Sequence, residues 1–369
     1  MYSKLYIEVS GVCNAHCPWC VTGIRSNGKT DEPFLSADRF EEVLLRLIDQ
    51  KLINARAVIS LYNWGEPYLN PELFEIIRRA GKLGFFCALS TNGAFLRPFE
   101  SDLLSTVRSV TFSLPGFSSA SSRRIHGLNF EQVLKNIEDC IASLKQVPNA
   151  VVPLMAYHVY QFNLAEIPLA AEFCAKRRIN FCPSAAYFNN YYHSSAFRND
   201  AMAAEVLKRA AADLMLDYVG QLIAERPADY RCPQLGYLTI DESCKILTCC
   251  GVPRTHPDYT VGSVFDLTRE QVLAARPRQA ICRECGRLGV DYWLHHPYTH
   301  KAVMILSRVR QDAPSPGLRE FINTIVRHLR SQQVETAVEY YNRYRPTLAN
   351  SPELPQLDAE MSRILSRSE

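Results

Sequence analysis

No apolar run in the 369 residues is long enough to cross a bilayer, and no basic segment followed by an apolar one opens the chain. The N-terminus enters an apparent strand at once, Leu5-Tyr6-Ile7-Glu8-Val9. Neither membrane insertion nor export is expected, and a cytoplasmic location is. Blocks of one charge are also missing: 41 Lys and Arg against 38 Asp and Glu leave a net +3 with no electrostatic footprint for nucleic acid. The hydrophobic content of 47% is ordinary and sufficient for a sizeable core. Cysteine is the residue in excess, at thirteen. Disulfide frameworks belong to short exported chains, and this chain is neither short nor visibly exported, so clustered thiols point to metal.

Three of the thiols fall within eight residues, Cys13, Cys17 and Cys20, in the run Gly-Val-Cys-Asn-Ala-His-Cys-Pro-Trp-Cys. A closed four-iron cluster or a structural zinc takes four protein ligands, whereas this C-x3-C-x2-C loop supplies three and leaves one iron open. Zinc sites more often pair two C-x2-C units, and the extra cysteine here sits at the wrong offset for that. The loop, with Trp19 just before its last cysteine, resembles the motif of the radical S-adenosylmethionine (SAM) superfamily. The resemblance implies a 4Fe-4S cluster whose open iron is chelated by SAM, with Trp19 near the adenine. It also implies reductive cleavage of SAM to a 5′-deoxyadenosyl radical that abstracts hydrogen from substrate.

Short β-branched or aromatic runs alternate with amphipathic segments through the first half, the pattern of βα units around a parallel sheet. Strands are expected at 5–10, 57–63, 85–91, 109–114, 150–159 and 179–186. After the N-cap candidate Ser36, the spacing of Phe40, Val43, Leu44, Leu47 and Ile48 gives one apolar helix face. A full eight-stranded barrel needs about 250 residues, so six units predict an open, partial (β/α)6 TIM-like barrel in an α/β fold, with its chemistry at the C-terminal strand ends. The radical SAM core is similar.

Further likenesses follow successive strands. Asn63-Trp64-Gly65-Glu66-Pro67 resembles the family's Gly-Gly-Glu-Pro segment, with Trp64 in place of the first glycine. Ser90-Thr91-Asn92-Gly93 resembles its Thr-Asn-Gly, and Ser113-Leu114-Pro115-Gly116 its Ser-Leu-Asp-Gly. The resemblance implies that Gly65 and Glu66 lie at the SAM amino group and that Ser90, Asn92 and Ser113 face its ribose and methionine parts. Each motif alone also reads as a turn or cap. Arg124, in the basic stretch Arg123-Arg124-Ile125-His126, is a candidate clamp for the SAM carboxylate or simply part of a solvated patch. Tyr157, His158, Tyr160, Tyr187, Asn189, Asn190 and Tyr191 are candidates for a substrate cavity. Cys182, in the sixth strand, is either a packed thiol or a hydrogen-atom donor to a substrate radical.

Met202 to Arg226 reads as one long connecting helix. Beyond it, Cys232 precedes a hairpin, Tyr237-Leu238-Thr239-Ile240 and a return strand to Cys249-Cys250, before the pair Cys282-Arg283-Glu284-Cys285. This order resembles the auxiliary-cluster domain called Twitch, the shortened SPASM domain. The resemblance implies a second 4Fe-4S cluster on Cys232, Cys282, Cys285 and either Cys249 or Cys250. The hairpin normally has glycine five positions before its ligand, and Cys244 holds that place relative to Cys249. A structural zinc suits four such cysteines as well. The other cysteines, Cys87, Cys140, Cys174, Cys182 and Cys244 among them, read as small buried residues.

The expected division is a barrel over 1–200, a helical connector over 201–228, a cysteine-rich auxiliary domain over 229–296 and a helical C-terminal extension over 297–369. In the last, Phe321, Ile322, Ile325, Val326 and Leu329 keep helical spacing. The leading functional expectation is oxidation or epimerisation of a small polar metabolite, of sugar, aminocyclitol or nucleoside type, in natural-product biosynthesis. It rests partly on the cysteine loop lying so close to the start of the chain that a peptide-recognition domain has no room before it. The alternatives are a peptide maturase working with a separate leader-binding protein, and a zinc-loaded scaffold without activity. An external electron donor such as flavodoxin or ferredoxin is implied; nucleic-acid and membrane partners are not.

Overall fold

The computed structural model describes residues 1–20, 22, 33–144, 146, 151–216, 226–252, 257–276 and 279–295. The expected C-terminal helices lie outside these residues, as does most of the second half of the expected connector. Six βα units come first. Strands β1 (Tyr2–Ile7), β2 (Ile53–Ser60), β3 (Phe86–Thr91), β4 (Val107–Leu114), β5 (Val152–Val159) and β6 (Asn180–Ala185) pair in parallel, each with the next. Helices α1 (Ala37–Asp49), α2 (Leu73–Lys82), α3 (Ser119–Ile125), α4 (Phe130–Leu144) and α5 (Ile167–Arg177) occupy the crossovers.

These elements form where the side chains demand them. Ser36 caps α1 by accepting from the Arg39 N–H at 3.2 Å, and Phe40, Val43, Leu44 and Leu47 on its inner face are fully buried. Each such side chain contributes about 1.5–3 kcal/mol on leaving water. Ile48, expected on that face, stays 40% exposed. The sheet's own core, Leu5, Ile7, Ile59, Leu89, Val110, Phe112 and Met155, is buried from both sides, as a parallel sheet covered by helices requires.

Beyond the barrel come α6 (Tyr191–Arg198), α7 (Ala204–Asp213), β7 (Tyr237–Ile240), β8 (Lys245–Leu247), β9 (Thr260–Ser263), α8 (Arg269–Ala275), α9 (Ala280–Arg287) and α10 (Val290–His295). The long connecting helix expected from Met202 is shorter: α7 starts at Ala204 and stops at Asp213, where Leu214 turns extended at φ −90°, ψ 157°. The expected hairpin is present, and it continues the barrel's sheet. β7 pairs in parallel with β1, matching Ile7 with Ile240, and β8 and β9 follow antiparallel, giving the order β6-β5-β4-β3-β2-β1-β7-β8-β9. The sheet is open, with β6 and β9 at its edges. Cys244 in the hairpin turn has φ 64°, the left-handed conformation usual for the glycine expected at that place. Asp241 holds the turn by accepting from the Ser243 and Lys245 N–H groups at 3.0 and 2.8 Å. Cys87, Cys140, Cys174, Cys182 and Cys244 are all buried, and no disulfide joins any of the thirteen cysteines. No helix among the described residues is long and apolar enough to cross a membrane.

Candidate functional site

The C-terminal ends of β1 to β6 open onto one cavity of about 430 Å³, within the size range of small-molecule sites. Cys13, Cys17, Trp19 and Cys20 line it from the loop after β1, Tyr62 to Glu66 from the loop after β2, and Ser90 to Asn92 from the end of β3. Ser113, His126, His158, Tyr160, Ser184, Tyr187 and Asn189 complete the wall from the later units. Three loops meet there because β1, β2 and β3 are parallel neighbours in the sheet, so their C-terminal ends lie side by side.

A buried carboxylate that local reading passes over fastens the first two loops. Glu8, 1% exposed at the exit of β1, accepts from the backbone N–H groups of Trp64 at 2.7 Å and Gly65 at 2.5 Å. The Glu66 N–H in turn reaches the Val12 carbonyl at 2.9 Å. Glu66 fastens the second loop to the third. Its carboxylate accepts from the Tyr68 N–H at 3.2 Å, the Thr91 hydroxyl at 2.7 Å and the Asn92 N–H at 2.7 Å. Burial pushes its pKa up to about 7, against these bonds, which favour the charged form. Glu66 thereby holds the cavity wall, a role the turn-like Gly-Glu-Pro sequence does not disclose.

The three thiols share this cavity and lie close enough to raise one another's pKa by like-charge repulsion. Burial is the larger cause: it pushes Cys13 up to about 12 and Cys17 well above the ordinary thiol range. Donors are aimed at Cys13 Sγ, the Ala15 N–H at 3.5 Å and the Asn92 amide at 3.7 Å, and Asn92 also bonds Asn14 at 2.9 Å. Hydrogen bonds to ligating sulfurs are a means by which proteins tune iron–sulfur clusters. Among the described residues no three histidine, cysteine or carboxylate side chains meet closely enough to hold one metal ion. A four-iron cluster takes each thiolate on a separate iron, so thiols gathered around a cavity suit it. The Ser90 and Ser113 hydroxyls bond each other at 3.2 Å on the same wall. The residues present fit a cluster and a bound sulfonium amino acid.

Residues 7–174 match the family model described as the radical SAM superfamily. This segment is similar to a radical SAM domain. The PqqA peptide cyclase of Gluconobacter oxydans (strain 621H) is 22% identical over 319 residues, 78% of this chain and 84% of that protein. The PqqA peptide cyclase of Ruegeria pomeroyi is 24% identical over 320 residues, covering 77% and 80%. The GTP 3′,8-cyclase of Clostridium acetobutylicum is 28% identical over 148 residues, 38% of this chain and 43% of that protein. Among solved structures, Streptococcus suis SuiB bound to precursor peptide SuiA aligns with a TM-score of 0.49 at 15% identity, covering 79% of this chain and 71% of that one.

Two expected site residues lie outside the cavity wall. Arg124 is not in the cavity wall. It pairs with Asp213 of α7 and stacks over the Phe162 ring at 4.1 Å, because the carboxylate that claims it lies 89 residues downstream. Arg124→Ala is therefore expected to leave SAM binding within about twofold of wild type by equilibrium dialysis while costing about 1–3 kcal/mol of stability, because buried Asp213 loses its closest partner. Cys182 is buried in β6, two residues before the cavity-lining Ser184, and does not line the cavity.

The pair His126 and His158 marks the opposite wall. Burial first, and then the neighbouring His158, hold the His126 imidazole down to about 3. The unfolded chain takes up this proton near pH 6.5 and the folded protein does not. The contribution is therefore whole above about pH 6.5 and is lost as pH falls toward 3. Between pH 7.5 and 5 the wild type should lose about 2 kcal/mol more unfolding free energy than His126→Gln, as urea titrations at the two pH values would show. Equal losses in both proteins would contradict the assignment.

The second cysteine set comes from the segment before β7, the turn after β8 and α9. Like-charge repulsion links Cys232, Cys249, Cys282 and Cys285, each of which burial already raises. Cys250 feels Lys4 and Cys232 instead, with burial again the first cause of its rise to about 12. Arg276, 2% exposed, donates to the carbonyls of Gln234 and Thr248, both at 2.9 Å, and to that of Tyr237, tying the hairpin to the segment after Cys232.

Proposed function

We propose that the protein is a two-cluster radical SAM enzyme acting on a peptide. The observation that carries the cofactor part is the gathering of Cys13, Cys17 and Cys20, with hydrogen-bond donors on Cys13, around one cavity at the strand ends. A cluster and SAM bound there supply the 5′-deoxyadenosyl radical. The chain's own residues hold and orient: Cys13, Cys17 and Cys20 are the ligands, Trp19 borders the adenine, Ser90, Asn92 and Ser113 offer hydroxyl and amide groups, and Gly65 brings its backbone close.

Cys232, Cys249, Cys282 and Cys285 are assigned to a Twitch-like auxiliary 4Fe-4S cluster. Cys249 is preferred to Cys250 because it is the one of the two coupled to both Cys282 and Cys285, and because Cys244 has the backbone of the expected glycine. An external one-electron donor of flavodoxin or ferredoxin type completes the system.

The peptide substrate rests on the two PqqA peptide cyclases, whose matches cover more than three-quarters of this chain and so extend past the radical SAM segment. A small polar metabolite is the second reading, supported by the hydroxyl, imidazole and amide groups of Ser113, His158, Ser184 and Asn189 in the cavity wall. Reduced protein incubated with SAM and deuterated candidate peptides or metabolites decides between them. Deuterium in 5′-deoxyadenosine from a peptide alone supports the first reading, and from a metabolite alone the second. No 5′-deoxyadenosine from either would overturn both.

A further inference from the structure

The residue that departs from the family's pattern, Trp64, joins the SAM-facing wall to the second cysteine loop. Its backbone is held by Glu8 at 2.7 Å, and the residue lines the cavity. Its indole N–H donates to the Val252 carbonyl at 3.0 Å, across 188 residues of sequence. Asn63 beside it, with its amide oriented to satisfy both neighbours, accepts from the same indole N–H at 3.1 Å and donates to the Cys250 carbonyl at 3.2 Å. The intervening Gly251 carbonyl accepts from the Tyr191 N–H at the start of α6, at 2.7 Å. Three consecutive carbonyls after Cys249 are thus bonded, two of them to cavity-lining Asn63 and Trp64. A glycine at position 64 has no side chain with which to make such a bond.

We infer that Trp64 is a positioning residue that couples occupancy of the second cysteine set to SAM binding, by pinning the Cys249–Val252 loop against the cavity wall. The inference rests on the proposed two-cluster reading. A cluster drawing on Cys249 would fix the backbone that presents the Val252 carbonyl; that carbonyl and Glu8 together hold Trp64 by its indole and its backbone, and Trp64 is part of the wall of the cavity. Networks of this kind give non-additive effects on mutation, and distant independent sites give additive ones.

The test is a double-mutant cycle read as SAM binding to anaerobically reconstituted, unreduced protein by equilibrium dialysis, without turnover. Trp64→Phe keeps a ring and removes the N–H. Cys282→Ser with Cys285→Ser empties the second set. Each change is expected to weaken SAM binding about fivefold, and all three together no more than either, with the iron content of Trp64→Phe equal to wild type. In wild type the EPR signal of the reduced second set, isolated by difference from the Cys282/Cys285 variant, should shift when SAM is added; in Trp64→Phe it should not.

If the cysteine variant does not fold, Asn63→Ala replaces it, and the same loss without additivity with Trp64→Phe is expected. Multiplying effects, or Trp64→Phe binding as wild type, would overturn the coupling. Failure of the parent reading shows differently: Cys13→Ala would then bind SAM as wild type does, or the second set would take up no iron, whatever residue stands at 64.

Discussion

Replacing Cys13, Cys17 and Cys20 together by alanine is expected to abolish 5′-deoxyadenosine formation and to remove about four of about eight irons, leaving the fold intact. The three side chains sit in a loop between β1 and α1, and no strand or helix of the barrel includes them. Cys13 Sγ accepts weak bonds from Ala15 and Asn92, so thermal unfolding should move by a few degrees at most. Iron analysis and chromatography of the reaction mixture read both outcomes. Formation of 5′-deoxyadenosine at the wild-type rate would contradict the assignment of these residues.

The second large effect is expected from a single methyl group. A Cβ at position 65 would lie 2.7 Å from the Ser10 carbonyl carbon and 2.9 Å from the Val12 carbonyl oxygen, with the Ser10 oxygen closer still. These are backbone atoms and cannot rotate aside. The loop after β2 has to withdraw, and the Trp64 and Gly65 N–H bonds to buried Glu8 break as it does. Gly65→Ala should therefore cost about 3 kcal/mol by urea denaturation and reduce SAM binding at least about tenfold, since the SAM-facing wall moves with the loop. Gly84→Ala is the control. There φ is +82° but nothing lies within 4 Å of the added carbon, so only the backbone strain of about 1–2 kcal/mol remains. Equal effects at the two positions would show that close approach is not what position 65 requires.

The parts of this protein that local sequence discloses are those whose cause is local. The cysteine loop, the Ser36 cap and the order of the six strands follow from spacing and from alternation of apolar residues. Strand ends are less legible: β1 stops at Ile7, although Val9 continues the apolar run, because the chain after Ile7 leaves the ladder to carry the cysteines. β2 ends at Ser60, short of the expected residue 63, for the same reason, Tyr62 to Glu66 being wall and not strand.

What stayed hidden depends on contacts far apart in the chain. Arg124 reads as an available cation until Asp213 is brought against it. Cys182 reads as a thiol open to substrate until β6 buries it outside the cavity lining. Glu8 looks like a solvent-facing strand residue, and its role appears only when the loop after β2 folds over it. The joining of β7 to β1, which continues the parallel strands into the cysteine-bearing hairpin, pairs segments more than 200 residues apart and is encoded by no local pattern.

The central claim is that three thiolates from one loop leave an iron vacant for SAM. The Cys282→Ser, Cys285→Ser variant isolates that set, and its reduced EPR spectrum with and without SAM tests the claim most directly. The account predicts a cluster signal whose g values shift when SAM is added; a signal indifferent to SAM, or iron bound with no such signal, would contradict it.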